Sequence, residues 1–186
     1  MAYFYQNLGE AEYAVVLYTY MRILGYPSEK ISVLTTYNGQ RQLLVDIFNK
    51  RCANNPYLGL PREITTVDKF QGQQNDYVIL SLVRTKSVGH LRDVRRMIVA
   101  MSRARLGLYI LGRLSLFKDV PSISETFKSL TTLPTSIMIV PHEHHETNSR
   151  PFDDHMISQA VSINGITNFA SFVSNLYAER VSAAGC

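Results

Sequence analysis

Residues 65–112, TTVDKFQGQQNDYVILSLVRTKSVGHLRDVRRMIVAMSRARLGLYILG, decide the fold of this 186-residue chain. Two apolar runs of strand character, Tyr77–Val83 and Leu108–Leu111, flank an arginine-rich segment whose apolar residues recur with helical spacing. A Phe-Gln-Gly turn precedes the first run. Strand, helix and strand in succession predict a crossover unit in a mainly parallel sheet.

The same alternation of helices and strands extends from Asn7 to about Val140. An Asn7-x-x-Glu10 sequence resembles a capping box and predicts a helix start. The predicted helices are 7–24, 39–52, 91–102 and one or two within 114–133; the predicted strands are 31–35, 64–67, 77–83, 106–111 and 136–140. The predicted fold is therefore α/β, with three layers around a mainly parallel sheet.

The composition changes after Pro141, where PHEHHETNSRPFDDH reads as an exposed polar linker. A closing amphipathic helix is predicted from Ile166 to about Arg180, and we expect it to expose its apolar face or pack it lightly. The predicted division is thus a domain over residues 1–140 and a linker with a helix over 141–186. The histidines of the linker predict no metal site, because no cysteine lies near them: His142, His144 and His145.

The composition, 46% hydrophobic and 18% charged, is ordinary for a soluble globular protein. The two cysteines form no disulfide framework, which indicates a reducing, intracellular compartment. No apolar run approaches the roughly 20 residues of a membrane helix, so no membrane partner is predicted. The net charge of +4 permits nucleic acid as a partner, but a solvated basic surface accounts for it equally.

Polar residues fall at the junctions between strands and helices, where an α/β sheet presents its binding crevice. In the Phe-Gln-Gly turn, Gly72 would let a backbone approach a phosphate or base, and Gln71 offers a donor and an acceptor; a plain polar turn is the alternative. Arg103 would stabilise charge on a transferring phosphoryl group, or else offset the negative end of a helix dipole.

A second polar group, Thr36-Tyr37-Asn38-Gly39-Gln40, follows the first predicted strand. It suits contact with nucleic acid by stacking and hydrogen bonding, or simply a helix N-cap with a packed tyrosine. Two motifs are absent from the sequence: a Gly-x-x-x-x-Gly-Lys-Ser/Thr phosphate loop, and a strand ending in an Asp-Glu pair that would hold Mg²⁺. An arginine placed to stabilise a phosphoryl group, in a sequence without these two motifs, indicates that the chain supplies only half of a nucleotide-binding site.

Three of these segments resemble superfamily-one RNA helicases of the up-frameshift type. VDKFQGQQNDYVILSLVRT is similar to their motif V, RRMIVAMSRARLGLYILG to their motif VI, and SVLTTYNGQ to their Thr-Pro-Tyr-x-x-Gln segment. All three occur in the family's order and spacing. Within the family the likeness is strongest to the intron-binding helicases of the spliceosome, and it extends from about Asn7 to Phe117.

The resemblance implies a second RecA-like domain, with ATP held between it and an upstream RecA-like domain that supplies the phosphate loop and the Mg²⁺ ligands. It makes Arg103 the arginine finger. It assigns nucleotide sensing to Gln71, Gly72 and Arg96, and contact with RNA to Thr36, Tyr37, Gln40, Thr66 and Gln74. Gln74 stands where the family has a glutamate that bonds a ribose, so the contact loses a charge.

The function that the resemblance implies is ATP-dependent RNA remodelling in pre-mRNA splicing, in the nucleus, with intronic RNA and spliceosomal proteins as partners. Because the sequence lacks the phosphate loop, we expect this chain to be a fragment that does not hydrolyse ATP alone. Two alternatives remain open: a non-catalytic RNA-binding or scaffold module of the spliceosome, and a helicase relative directed to DNA.

Overall fold

A computed structural model describes residues 4–84, 86, 94–118, 136–140 and 158–184, with only the backbone for 94–96, 117, 118 and 184. The predicted linker, the start of the helix predicted at Leu91 and most of the helical stretch predicted over 114–133 lie outside these residues.

The central element is a sheet of four parallel strands. They are β1 (Ile31–Thr35), β2 (Glu63–Thr66), β3 (Asn75–Ser81) and β4 (Ala104–Leu111), in the order β2-β1-β3-β4. The two strands of the crossover unit, β3 and β4, are direct neighbours, with Val78 opposite Leu108. The prediction of a mainly parallel sheet is confirmed. β3 ends two residues earlier than predicted, because Val83 adopts a left-handed backbone conformation (φ 71°) that a strand cannot contain.

Five α-helices are described. They are α1 (Leu8–Ile23), α2 (Asn38–Arg51), α3 (Val94–Met101), α4 (Leu114–Lys118) and α5 (Ile166–Ala184). Each crossover between parallel strands contains one of these helices or a long turn, as parallel pairing requires. None of the described helices has the length and apolar character needed to cross a membrane.

Buried side chains cover both faces of the sheet and divide the core in two. On one face, Ile31, Val33 and Ile79 pack against α1, α2 and α5. On the other face, Leu34, Val78 and Leu80 belong to a second cluster. It is completed by Leu82 just after β3, by the turn after β2 and by α3, whose residues are Val67, Phe70, Met97 and Ala100. Helices therefore lie on both sides of the sheet, which confirms the predicted three-layer α/β fold.

The last predicted strand forms, but it does not join the parallel sheet. β5 (Ile137–Ile139) pairs with β6 (Val161–Ile163) in an antiparallel ribbon of two strands. β6 was not predicted, since three residues are too few to show an alternating pattern. Ile139 is buried in the core beside α1, so this ribbon packs against the main domain.

The expectation that the closing helix packs lightly is wrong. Phe169 of α5 is 0% exposed and inserts between two tyrosines of α1, with its ring centroid 5.6 Å from Tyr13 and 5.7 Å from Tyr20. Tyr177 accepts a hydrogen bond of 2.9 Å from the side-chain amide of Asn55, which lies in the loop after α2. An aromatic cluster therefore holds α5 against the first layer. The division of the chain at residue 140 remains a prediction.

We predict that Phe169→Ala lowers the free energy of unfolding by about 3 kcal/mol or more, because it empties a buried aromatic site. Urea unfolding followed by circular dichroism measures the change. Ser174→Ala, an exposed position on the same helix, serves as the control and should change stability by less than about 0.5 kcal/mol. Equal effects of the two substitutions would show that α5 is only loosely attached.

Candidate functional site

The candidate residues lie at two opposite edges of the sheet. β3 has seven residues, which places its ends roughly 20 Å apart. The amino edge, defined as the starts of β3 and β4, has Asn75 opposite Ala104; the carboxyl edge, defined as the ends of β1, β2 and β3, has Thr35 opposite Thr66 and Ser81. The polar residues at the strand–helix junctions therefore do not share one crevice. Strand direction decides this, because Arg103 precedes a strand whereas Thr36 and Tyr37 follow one.

Arg103 lies at the amino edge and joins the two motif-like segments. Its Nη1 donates to the backbone carbonyl of Gln73 (3.0 Å), in the turn before β3. Its Nε donates to the carbonyl of Val99 in the last turn of α3 (2.8 Å), and its Nη2 to the Ser102 hydroxyl (2.9 Å). All three acceptors are neutral. Among the described side chains, no carboxylate forms an ion pair with Arg103.

The turn between β2 and β3 crosses from the carboxyl edge to the amino edge. Gly72 has φ +78°, and an added Cβ would meet nothing within 4 Å, so the backbone conformation rather than a close contact requires glycine. The exposed Gln74 donates from Nε2 to the carbonyl of Ser102 (3.2 Å). Gln74 was grouped with Tyr37 as a contact for RNA; the structure places it beside Arg103 instead. The side chain of Arg96 is outside the described part of the chain.

The charged contacts at the start of β3 centre on Asp76. Its carboxylate contacts Lys30 Nζ at 2.8 Å and Arg105 Nη1 at 3.7 Å. Asn75, the residue before it, is buried and donates to the Ser32 hydroxyl (2.8 Å) and the Glu29 carbonyl (3.2 Å). These contacts anchor the start of β3 in the sheet, so the turn that carries Gln71 and Gly72 has a fixed end.

At the carboxyl edge, Gln40 has a structural role. It is 0% exposed; its Oε1 accepts from the Asn7 backbone N–H (2.7 Å), and its Nε2 donates to the Asn7 carbonyl (3.0 Å) and the Ser81 hydroxyl (3.2 Å). The contact of Gln40 with RNA stays a prediction, and in this structure its amide is buried and used within the fold. Gly39 permits this packing, since an added Cβ would lie 2.8 Å from the Tyr5 carbonyl oxygen.

The capping box at the start of α1 is only half formed. Asn7 Oδ1 accepts from the Glu10 backbone N–H (3.1 Å), as predicted, but the Glu10 carboxylate points to the end of β3. Its Oε2 accepts from the Ser81 hydroxyl (2.6 Å) and the Val83 backbone N–H (2.8 Å). Burial raises the pKa of Glu10 above its ordinary value of 4.5, although the hydrogen bonds from Ser81, Val83 and Leu82 act in the opposite direction.

Tyr37 is also largely covered. It is 7% exposed, and the ring of Tyr5 meets it edge-on at a centroid distance of 5.1 Å. The guanidinium of Arg84 lies over Tyr5 at 4.0 Å from the ring centroid, and 6.0 Å from that of Tyr37. A base therefore has no open face of Tyr37 on which to stack. Tyr5 and Arg84 form the outer part of this cluster, and Phe4, 70% exposed, lies beside it.

The two predicted threonines lie at the same edge. The Thr36 hydroxyl is buried and has no hydrogen-bond partner among the described residues. Thr66 ends β2, is nearly buried, and its carbonyl accepts from the backbone N–H groups of Lys69 and Phe70 (3.0 Å each).

The sequence did not predict Tyr5 and Arg84 as surface residues, and it predicted only a capping role for Glu10. The signal for Arg84 was its place directly after a buried strand.

The described residues contain no group of three or more His, Cys, Asp or Glu side chains that would hold a metal ion. The histidines at 142, 144 and 145 lie outside the described residues.

The raised pKa of Glu10 allows these contacts to be tested through the pH dependence of the free energy of unfolding. Because its folded-state pKa is raised, the native state binds more protons than the unfolded state above pH 4.5, and stability falls as pH rises through this window. We predict that the native chain loses stability relative to Glu10→Gln as the pH rises from 4.5 through the folded-state pKa, and that the difference is constant above it. Urea unfolding at several pH values measures this. If the native chain instead gained stability relative to Glu10→Gln over this pH range, the hydrogen bonds would lower the pKa of Glu10 more than burial raises it.

Comparisons with known proteins agree with this geometry. Residues 2–115 match a family model described as an AAA domain. The chain is 57% identical over 175 residues to RNA helicase aquarius of Mus musculus, and 29% identical over 180 residues to pre-mRNA-splicing factor cwf11 of Schizosaccharomyces pombe. These alignments cover 94% and 95% of the chain.

The DNA replication ATP-dependent helicase/nuclease DNA2 of Saccharomyces cerevisiae is 42% identical over 121 residues, or 63% of the chain. The chain spans 12% of the mouse protein, 14% of the fission yeast protein and 8% of the budding yeast protein. The family match covers more than half of the chain, and the fold has the parallel sheet and flanking helices expected for it. The chain therefore belongs to the family described as AAA domain, and it is similar to superfamily-one helicases.

Proposed function

We propose that this chain serves as the second RecA-like domain of an ATP-dependent RNA helicase that acts on introns in pre-mRNA splicing, in the nucleus. The observation that carries the proposal is the hydrogen bond from Arg103 to the Gln73 carbonyl, which joins the segments similar to motifs V and VI at one edge of the sheet. The names of two relatives, RNA helicase aquarius and pre-mRNA-splicing factor cwf11, support RNA and splicing as the setting.

The amino edge is the proposed nucleotide side. Arg103 supplies a guanidinium with no carboxylate partner among the described residues, and the exposed Gln74 adds an amide. These donors suit the anionic phosphates of ATP and its ribose hydroxyls. The described residues provide no carboxylate cluster for Mg²⁺, so we assign the metal to the upstream RecA-like domain. In this proposal Arg103 is the arginine finger, and Gln71, Gly72, Gln74 and Arg96 lie near the nucleotide.

The carboxyl edge is the proposed RNA side. Tyr5, Arg84 and the exposed Phe4 offer aromatic and cationic surface there, and the buried Thr36 hydroxyl lies at the same edge. Aromatic rings and arginine are the side chains on which single-stranded nucleic acids bind. In this proposal Tyr37, Gln40 and Thr66 support the surface from beneath.

Arg103 must change its contacts to act as a finger. In the structure its guanidinium binds two carbonyls and a hydroxyl within the domain. We propose that the γ-phosphate of ATP, brought by the upstream domain, replaces the Gln73 carbonyl as a partner of Arg103. The change would couple the finger to the turn that carries Gly72, which runs toward the carboxyl edge and the RNA.

Two other functions are each favoured by one observation. The bond from Arg103 to Val99 satisfies a carbonyl in the last turn of α3, as expected of a helix-end arginine in a scaffold module that binds spliceosomal proteins. The similarity to DNA2 favours a relative directed to DNA. Binding to matched RNA and DNA oligonucleotides separates the last alternative, because only RNA has a 2′-hydroxyl.

The test is Arg103→Ala in a protein that joins this chain to its upstream RecA-like domain. An arginine finger acts on the transition state, so we expect ATP turnover at saturating RNA to fall by about 10³-fold or more, with little change in RNA affinity. Arg103→Lys should not restore full turnover, because an ammonium lacks the forked geometry of a guanidinium.

Arg105→Ala is the matched control. It removes the same charge two residues away, from an exposed side chain that contacts Asp76, and it should reduce turnover only slightly. Circular dichroism checks that each variant folds. Near-native turnover of Arg103→Ala would favour the scaffold function.

A further inference from the structure

Val83 has a strained backbone. Its φ of 71° is the only positive φ at a described residue other than glycine, and a β-branched side chain makes this conformation a true outlier. The Arg84 backbone N–H donates to the Leu82 carbonyl (2.8 Å), two residues back, which closes a tight γ-turn around Val83. Turns of this kind with positive φ are rare and strained. Such strain persists only where surrounding contacts impose it, and it concentrates at functional sites.

The first turn of α1 supplies those contacts. Glu10 Oε2 accepts from the Val83 backbone N–H (2.8 Å), and Asn7 Nδ2 donates to the Val83 carbonyl (3.2 Å). Asn7 Nδ2 also donates to Glu10 Oε1 (3.0 Å), so the two side chains support each other. Both polar groups of the strained backbone are therefore bound by two side chains one helical turn apart. Gln40 fixes Asn7 in turn through two hydrogen bonds to its backbone.

The strained turn determines where Arg84 lies. A strand that continued through Val83 would extend Arg84 away from the domain, whereas the turn folds it back over Tyr5, 4.0 Å from the ring centroid. At this distance the guanidinium is in cation–π contact with the ring. Phosphate binds guanidinium N–H groups at the edge of the plane, so one arginine can make both contacts.

We propose that Glu10 and Asn7 are positioning residues that hold Val83 in its strained turn, and thereby place Arg84 to bind a backbone phosphate of single-stranded nucleic acid at the carboxyl edge. The inference rests on the proposed function, of which it specifies one contact. Arg84 makes the contact with the nucleic acid, and Glu10 and Asn7 act only by positioning Arg84.

The test measures binding of the full 186-residue chain to fluorescein-labelled oligouridylate by fluorescence anisotropy. Arg84→Ala should weaken binding about tenfold or more, the size of a charged hydrogen bond. It should also reduce the slope of log affinity against log salt concentration by about 0.7, the value for one phosphate contact on a single strand. Lys50→Ala removes the same charge from the far end of α2, and should change both quantities much less.

A double-mutant cycle separates positioning from general stabilisation. Glu10→Gln puts an amide where a carboxylate accepts hydrogen bonds, and should weaken binding about fivefold through release of the strained turn. In the Arg84→Ala background the same substitution should have almost no effect. Additive effects of the two substitutions would overturn the inference, since Glu10 would then act independently of Arg84.

Rescue by glycine gives a second readout that a purely structural role would not move. Glycine adopts φ 71° without strain, so Val83→Gly should restore binding in the Glu10→Gln background, whereas Val83→Ala should not. As single variants, Val83→Gly should also be more stable to urea than Val83→Ala, reversing the usual order. The comparison of Val83→Gly with Val83→Ala tests the strain at Val83 even if Glu10→Gln fails to fold. Equal behaviour of Gly and Ala would overturn the inference.

Failure of the inference differs from failure of the proposed function. Binding of oligouridylate that depends on salt but not on Arg84 would overturn the inference alone. No binding by the native chain at low salt would overturn both.

Discussion

The parallel pairing of β3 with β1 on one side and β4 on the other is the constraint on which the candidate site depends. Pairing sets Val33 beside Ile79 and Ile79 beside Tyr109, which puts one face of the sheet under α1 and the other under α3. It also fixes which residues share an edge. Arg103 enters β4 beside the start of β3, whereas Tyr37 and Arg84 leave β1 and β3 at the opposite end.

Two edges of one rigid sheet are a natural arrangement for a domain that responds to two ligands. The two inner strands, β1 and β3, are largely buried and paired on both sides, so they transmit position rather than deform. The segment between β2 and β3 is different, because it begins beside Thr35 at the carboxyl edge and ends in hydrogen bonds with Arg103 and Ser102. In the proposed function this turn connects the nucleotide and RNA sides. Its conformation depends on Gly72 and on the buried ring of Phe70.

Much of the fold was predictable from the sequence. Apolar runs of the right length predicted the four parallel strands, and helical spacing predicted α1 and α2. The site was less predictable, because a sequence pattern shows that Gln40 follows a strand but not that its amide is consumed by Asn7 and Ser81. Likewise, the spacing of Asn7 and Glu10 predicted a helix start, but the contact of Glu10 with Val83 joins residues 73 positions apart. Long-range contacts of this kind depend on the packing of whole elements.

The central claim is that RNA binds the carboxyl edge and leaves the amino edge to the nucleotide. Backbone amide NMR spectra of the chain, recorded during titration with oligouridylate, test it directly. The account predicts shifts concentrated at residues 4–7, 36–37 and 81–84, with residues 71–75 and 102–105 nearly unchanged. Shifts centred on residues 71–75 and 102–105 would place RNA at the amino edge and contradict the account.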